Sequence, residues 1–292
     1  MARTTHSFLA PSGLRLAVHH WGGDGDPVLL AHPTGFHGVV WQPIAEGLVA
    51  RGRRTWSFDF RGHGDSDPSP DGIYSWDGFA DDADAVLDHL ELRGHPRLLA
   101  AGHSKGGASL LTIAARDPSA LPCIWGYEPI VFPSEEPFPV DPNNSMAAAA
   151  RKRRADWPSR DKAFASYGAR APLGALRADA LHAYVDYGMR DLTDGSVELK
   201  CRPADEANMY TMGAANGLYP RLAEVTCPTL VVCGGDSRSI SSSLGAQIVD
   251  RLPNANLEVW EGRGHFGPLE DPEHALDSML HFTTDPSRRS NE

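Results

Sequence analysis

Residues Leu98–Gly107, LLAAGHSKGG, carry the reading on which the fold turns. Leu98–Ala101 has the short apolar run of a buried strand, and Ala108–Ala115 has the composition of a helix. Between them Gly102-His103-Ser104-Lys105-Gly106 forms a G-x-S-x-G pattern. A serine in that position, with small residues two places to either side, fits a tight, strained turn that projects its hydroxyl above a sheet. The start of the following helix directs unpaired N–H groups and a positive dipole end toward developing negative charge. This is machinery suited to acyl transfer. A serine in an ordinary tight turn is the plainer reading, and the strand–motif–helix context weighs against it. At Lys105 the backbone N–H matters more than the ammonium, and the side chain is expected to face solvent or the substrate entrance.

A serine hydroxyl is a weak nucleophile until a neighbouring base takes its proton. The candidate base is His265, in EGRGHFGPLED, where Gly262 and Gly264 let the chain bend between a late strand and the closing helix. His103 sits inside the turn itself and is expected to point away. His32 and His63 read as structural or rim-lining.

Working outward, strands are expected at His6–Ala10, Leu14–His20, Val28–Ala31, Thr55–Phe60, Leu98–Gly102 and Cys123–Tyr127. Helices fit Val39–Ala50, Ser75–Leu92 and Lys105–Arg116. Strand and helix alternate through residue 128, as in a mostly parallel sheet covered on both faces. From about Val131 to Ala215 the rhythm fails, and helical pieces are broken by Pro158, Pro172, Gly174 and Gly188. It resumes with strand Thr229–Cys233, helix Ser242–Leu252, strand Leu257–Trp260 and helix Pro272–Phe282. The expected fold class is therefore α/β: residues 1–130 and 216–285 form one core domain, 131–215 an inserted helical lid, and 286–292 a frayed tail.

Composition narrows the function. The 292 residues include 27 Lys+Arg against 38 Asp+Glu, a formal charge of −11 that disfavours a broad nucleic-acid face. The basic run Arg151, Lys152, Arg153 and Arg154 is expected to be the solvated face of a helix begun by Met146 and four alanines. The acids of Ser75–Leu92 likewise read as a water-facing surface rather than a metal site. The N-terminus lacks the apolar core of a secretory signal, and no apolar stretch reaches the length of about 18 residues for a membrane span. Cys123, Cys201, Cys227 and Cys233 show no CxxC pairing and read as small hydrophobes of a cytoplasmic protein. Neither a metal site nor an organic cofactor is indicated, and Gly62 and Gly64 do not make a dinucleotide fingerprint.

Together, HPTGFHGVVW (32–41), DFRGHGDSD (59–67), GHSKGG (102–107), PTLVVCGG (228–235) and GRGHFGPLEDP (262–272) resemble the α/β-hydrolase superfamily, in particular its lidded esterase, haloalkane dehalogenase and epoxide hydrolase branch. The resemblance spans nearly the whole chain. It implies His265 as base and an oxyanion hole from the backbone N–H groups of Lys105 and Thr34, with Gly35 as a fallback donor. Pro33 stands where the family usually has glycine, which leaves the Thr34 donor intact. Dehalogenases and epoxide hydrolases of this fold attack with aspartate, whereas this turn carries Ser104, so hydroxyl attack and an acyl-enzyme are implied. Trp41 is expected to pack rather than react.

The acid that orients the imidazole has two candidates. Asp236 follows the late strand, but alignment of Pro228-Thr229-Leu230 and Gly234 with the family pattern places Ser237 at the acid position. Glu128, 24 residues after Ser104, follows the preceding strand, where some lidded relatives carry their acid. Glu128 is favoured and Asp236 is the alternative. The implied function is hydrolysis of a carboxylic ester or lactone by a serine enzyme acting on a small, partly apolar acyl substrate, an expectation drawn from the lid aromatics with Phe36 and His37. A C–C bond hydrolase or thioesterase is the second choice, and a catalytically silent ligand-binding protein of this fold the third. A haloperoxidase-like side activity would use the same serine. A homo-oligomer is compatible with all of them.

Overall fold

The computed structural model describes residues 3–136, 138–213 and 216–284. The expected frayed tail, 286–292, lies outside the described residues. Strands β1 (Thr4–Leu9), β2 (Arg15–Gly22), β3 (Pro27–Ala31), β4 (Arg54–Phe58), β5 (Leu99–His103) and β6 (Ile124–Tyr127) precede the intervening segment. That segment holds β7 (Asp156–Trp157), β8 (Met189–Asp191) and β9 (Val197–Leu199), and the chain then returns through β10 (Thr229–Gly234) and β11 (Ala255–Trp260).

Eight strands form one sheet in the order β1-β2-β4-β3-β5-β6-β10-β11. The β1–β2 and β2–β4 pairs are antiparallel and the remaining pairs are parallel. Strands β3, β5, β6 and β10 are buried along their whole length, which is why they read as unbroken apolar or small-residue runs instead of alternating ones. Alternate residues of β3 still serve opposite layers. Leu29 packs with Val86, Leu87, Leu110 and Leu111 of helices Trp76–His89 and Lys105–Arg116. Leu30 packs with Ile44 and Leu48 of helix Gln42–Ala50 and with Leu276 and Met279 of helix Pro272–Thr284.

Between β6 and β10 the chain builds helices Ser145–Arg151, Arg160–Gly168, Ala178–Gly188 and Pro203–Thr211, together with a three-stranded sheet ordered β7-β9-β8. That sheet is absent from the sequence reading, because strands of two and three residues are too short to show a two-residue period. Its β8–β9 turn closes through Leu192 N–H to Ser196 O at 2.8 Å, with Gly195 at φ 85°. The segment is packed onto the core: Leu181, Tyr184 and Val185 share a cluster with Phe36, Val40 and Trp41, and Lys200 pairs with Asp65 at 2.6 Å. No helix among the described residues is long and apolar enough to cross a membrane.

Candidate active site

The elbow at Ser104 follows from what its neighbours lack. Ser104 takes φ 54° and ψ −114°, a conformation that an ordinary side chain adopts at a cost of about 1–3 kcal/mol. A Cβ on Gly102 would lie 2.5 Å from the Gly107 nitrogen, and one on Gly106 would lie 2.2 Å from the Ala31 carbonyl oxygen of β3. Only glycine lets helix Lys105–Arg116 start this close to the sheet. Ser104 N–H donates to Tyr127 O at 2.9 Å and Ile130 N–H to Ser104 O at 3.2 Å, tying the elbow to the end of β6.

The next residue after β6 is Glu128, fully buried and itself in the left-handed region at φ 43°. Its carboxylate has three donors. His265 Nδ1 lies 2.6 Å from Oε2, the Ser237 hydroxyl donates to the same oxygen at 2.8 Å, and Gly234 N–H donates to Oε1 at 2.9 Å. These bonds offset the desolvation of a carboxylate that is out of contact with water. Asp236 is exposed, and among the described residues it makes no hydrogen bond or ion pair with His265; its N–H is bound to Arg263 O at 3.0 Å. The geometry thus brings Glu128, not Asp236, onto the imidazole. It also gives Ser237 a part that spacing alone does not reveal.

Two further side chains hold the histidine loop. Tyr127 donates its hydroxyl to Gly264 O at 2.6 Å, and His103 Nε2 binds His265 O at 2.7 Å with the two imidazoles 5.0 Å apart. Rather than pointing away, His103 clamps the backbone of the candidate base against the strand that ends at the serine. Burial, and then His265 beside it, hold the His103 imidazole well below its ordinary pKa. Among the described residues the Ser104 hydroxyl makes no hydrogen bond, and the elbow is linked to the Glu128–His265 pair through Tyr127 O and the His103 ring. A catalytic hydroxyl–imidazole contact often closes only with substrate bound.

On the other side of the elbow lies the loop after β3. Thr34 N–H and Lys105 N–H each lack an acceptor among the described residues, as an oxyanion hole requires. Gly35 does not remain as a fallback, because its N–H is taken by His63 Nε2 at 3.2 Å. His32 is structural, binding Pro33 O at 2.8 Å and accepting from Phe60 N–H at 3.1 Å. Asp59 accepts from Gly38 N–H at 2.6 Å and lies 3.2 Å from His19 Nε2. Burial would raise the Asp59 pKa, but the His19 imidazole outweighs it and holds the carboxyl well below the usual range.

Lys105 corrects an expectation. Its side chain is fully buried rather than turned to solvent or the substrate entrance. Its Nζ lies over Phe60 and Phe79 at 4.2 and 4.3 Å and 3.3 Å from His63 Nε2. Burial pushes its pKa well below that of an ordinary lysine.

The basic run departs from expectation in part: Arg151, Lys152 and Arg154 are exposed, but only Arg151 belongs to helix Ser145–Arg151, while Lys152, Arg153 and Arg154 lie past its end and line a cavity, with Arg153 partly buried. Arg153 is ion-paired with the buried Glu206 and donates to the Tyr184 hydroxyl at 2.6 Å. The cavity has a volume of about 670 Å³ and runs from Thr34, Phe36 and Phe266 to the intervening segment. Its walls include Met146, Trp157, Tyr167, Tyr184 and Tyr210. Phe266 follows His265 directly and packs against Phe36 with ring centroids 5.1 Å apart. The cavity therefore adjoins the serine–histidine end of the sheet.

The chain resembles known proteins over most of its length. The chain is 28% identical over 262 residues to a non-heme chloroperoxidase of Kitasatospora aureofaciens, covering 87% of this chain and 89% of that one. It is 27% identical over 281 residues to a monoacylglycerol lipase of Mycolicibacterium smegmatis, covering 94% of each. Among solved structures it matches E-2-(acetamidomethylene)succinate hydrolase with a TM-score of 0.78 at 22% identity, over 97% of this chain and 100% of that one. It matches the thioesterase domain from the curacin biosynthetic pathway with a TM-score of 0.79 at 21% identity, over 96% and 100%. These two structural likenesses concern the fold. A model of the alpha/beta hydrolase family matches residues 28–277, and with the G-x-S-x-G elbow in place this chain belongs to that family of enzymes.

Proposed function

We propose that the protein is a serine hydrolase that cleaves a carboxylic ester or lactone through an acyl-enzyme on Ser104. The observation that carries the reading is the buried Glu128 carboxylate 2.6 Å from His265 Nδ1, beside a serine held in a strained elbow. Glu128 fixes the imidazole with Nδ1 protonated, so that Nε2 is left basic toward the hydroxyl. His265 removes the Ser104 proton as Oγ attacks the carbonyl carbon. The carbonyl oxygen takes up the negative charge and is received by the Thr34 and Lys105 N–H groups. The imidazolium then protonates the departing alcohol, and water deprotonated by the same ring cleaves the acyl-enzyme. In this account the 131–215 segment acts as a lid, and its aromatic wall favours a partly apolar acyl group. Hydrolysis of short-chain and medium-chain esters by the purified protein tests the reading. Turnover is expected in the wild type and lost in Ser104→Ala; equal turnover by the variant would refute it.

A further inference from the structure

The cavity carries a charge that runs against the rest of the molecule. The chain has a formal charge of −11, yet four cations, Lys152, Arg153, Arg154 and Arg170, line this one space against a single carboxylate, Glu206. Glu206 is engaged by Arg153. The other three have no ion pair among the described residues, whereas most arginines elsewhere, Arg93, Arg116, Arg160 and Arg177 among them, are paired with acids. Arg154 is held in place without being neutralised. Its Nε donates to Asp156 O at 2.6 Å and its guanidinium lies 4.4 Å from the Trp157 ring, leaving both Nη groups unspent. In a protein with surplus acids, three unpaired cations converging on one cavity call for an anion that arrives from outside.

We infer that the cavity selects an acyl substrate ending in a carboxylate remote from the scissile carbonyl, with the carboxylate held by Arg154, Arg170 and Lys152. This rests on the hydrolase reading above and deepens it by naming the substrate class. Thr34, Phe36 and Phe266 place the reacting carbonyl at the sheet end. Trp157 and Tyr167 contact an apolar stem, and the cations receive the head. All three cations are exposed to water, so each contact is modest and screened by salt.

The test compares monoethyl adipate, diethyl adipate and the ethyl ester of aminohexanoic acid, whose far ends are anionic, neutral and cationic. At low ionic strength kcat/KM for the half-ester is expected to exceed that for the diester by about tenfold, with the cationic ester poorest, and the advantage should shrink as salt is added. The double variant Arg154→Gln, Arg170→Gln is expected to remove that preference, bringing kcat/KM for the half-ester down to that for the diester measured with the same variant. Calorimetric binding of the adipate dianion gives a second measurement that needs no turnover: binding is expected in the wild type and lost in the double variant. Half-ester and diester turned over alike, or adipate bound equally by both proteins, would overturn the anion site. No turnover of any ester alongside adipate binding lost in the double variant would overturn the ester chemistry and leave the anion site standing.

Discussion

Strands β6 and β10 run side by side, and each ends in a turn that carries a carboxylate, yet only one of the two meets the imidazole. Glu128 follows β6 immediately, bends back through a positive φ and is sealed from water. Asp236 lies two residues beyond β10, in solvent, with its backbone pinned to Arg263. The end of β10 instead supplies Gly234 N–H and the Ser237 hydroxyl as donors to the acid of its neighbour. The carboxylate that reaches His265 is the one on the strand end facing the histidine loop, where buried donors meet its charge. A carboxylate nearby in sequence is not sufficient.

The largest effect that would break this comparison is expected at Glu128. Replacement by Gln should lower kcat on the order of 10⁴-fold with the fold intact by circular dichroism, because the imidazole loses the charge that stabilises its protonated form. A comparable loss in Asp236→Asn, measured in parallel, would reverse the assignment. Ser237→Ala sharpens the comparison from the β10 side. It removes one charge-assisted hydrogen bond from Glu128 and should cost about tenfold in kcat with little change in KM. A change in KM alone would point to a substrate contact instead.

Both sides of the elbow bury ionisable groups. Each side buries a carboxylate, Glu128 on one and Asp59 on the other, and His32, His37, His63 and His103 around them are buried imidazoles held below their ordinary pKa, chiefly by desolvation. For His37 the value falls to about 4. Below about pH 6.5 the unfolded chain therefore binds more protons at these sites than the folded one. The contribution of these histidines to stability should be full above that pH and be lost as pH drops toward 4, which a series of thermal melts would show as a declining Tm. A Tm constant from pH 7 to 4.5 would contradict the buried-neutral assignment. The smallest effect is Asp236→Asn itself, expected to change kcat by less than about twofold, as for an exposed side chain with no partner among the described residues.

Most of the sheet was legible because its strands are short apolar runs flanked by glycine turns, and helix Lys105–Arg116 begins and ends where its sequence says. Ser104 and the histidine loop were legible for the same reason: glycines mark where backbone must bend or approach. What escaped the sequence depends on distant partners. Ser237 shows its purpose only once β6 and β10 are adjacent, and His103 only once the loop after β11 returns over the elbow. Lys105 and Arg153 were misplaced because a cation is ordinarily assigned to water. In the fold, a pair of aromatic rings receives one, and a buried glutamate with a tyrosine hydroxyl receives the other.

The measurement closest to the central claim is the site and rate of covalent labelling by a fluorophosphonate, read by peptide mass spectrometry. A single adduct on Ser104 is expected, formed much more slowly in His265→Gln and in Glu128→Gln than in the wild type. An adduct on another residue, or a labelling rate indifferent to His265 and Glu128, would contradict the account.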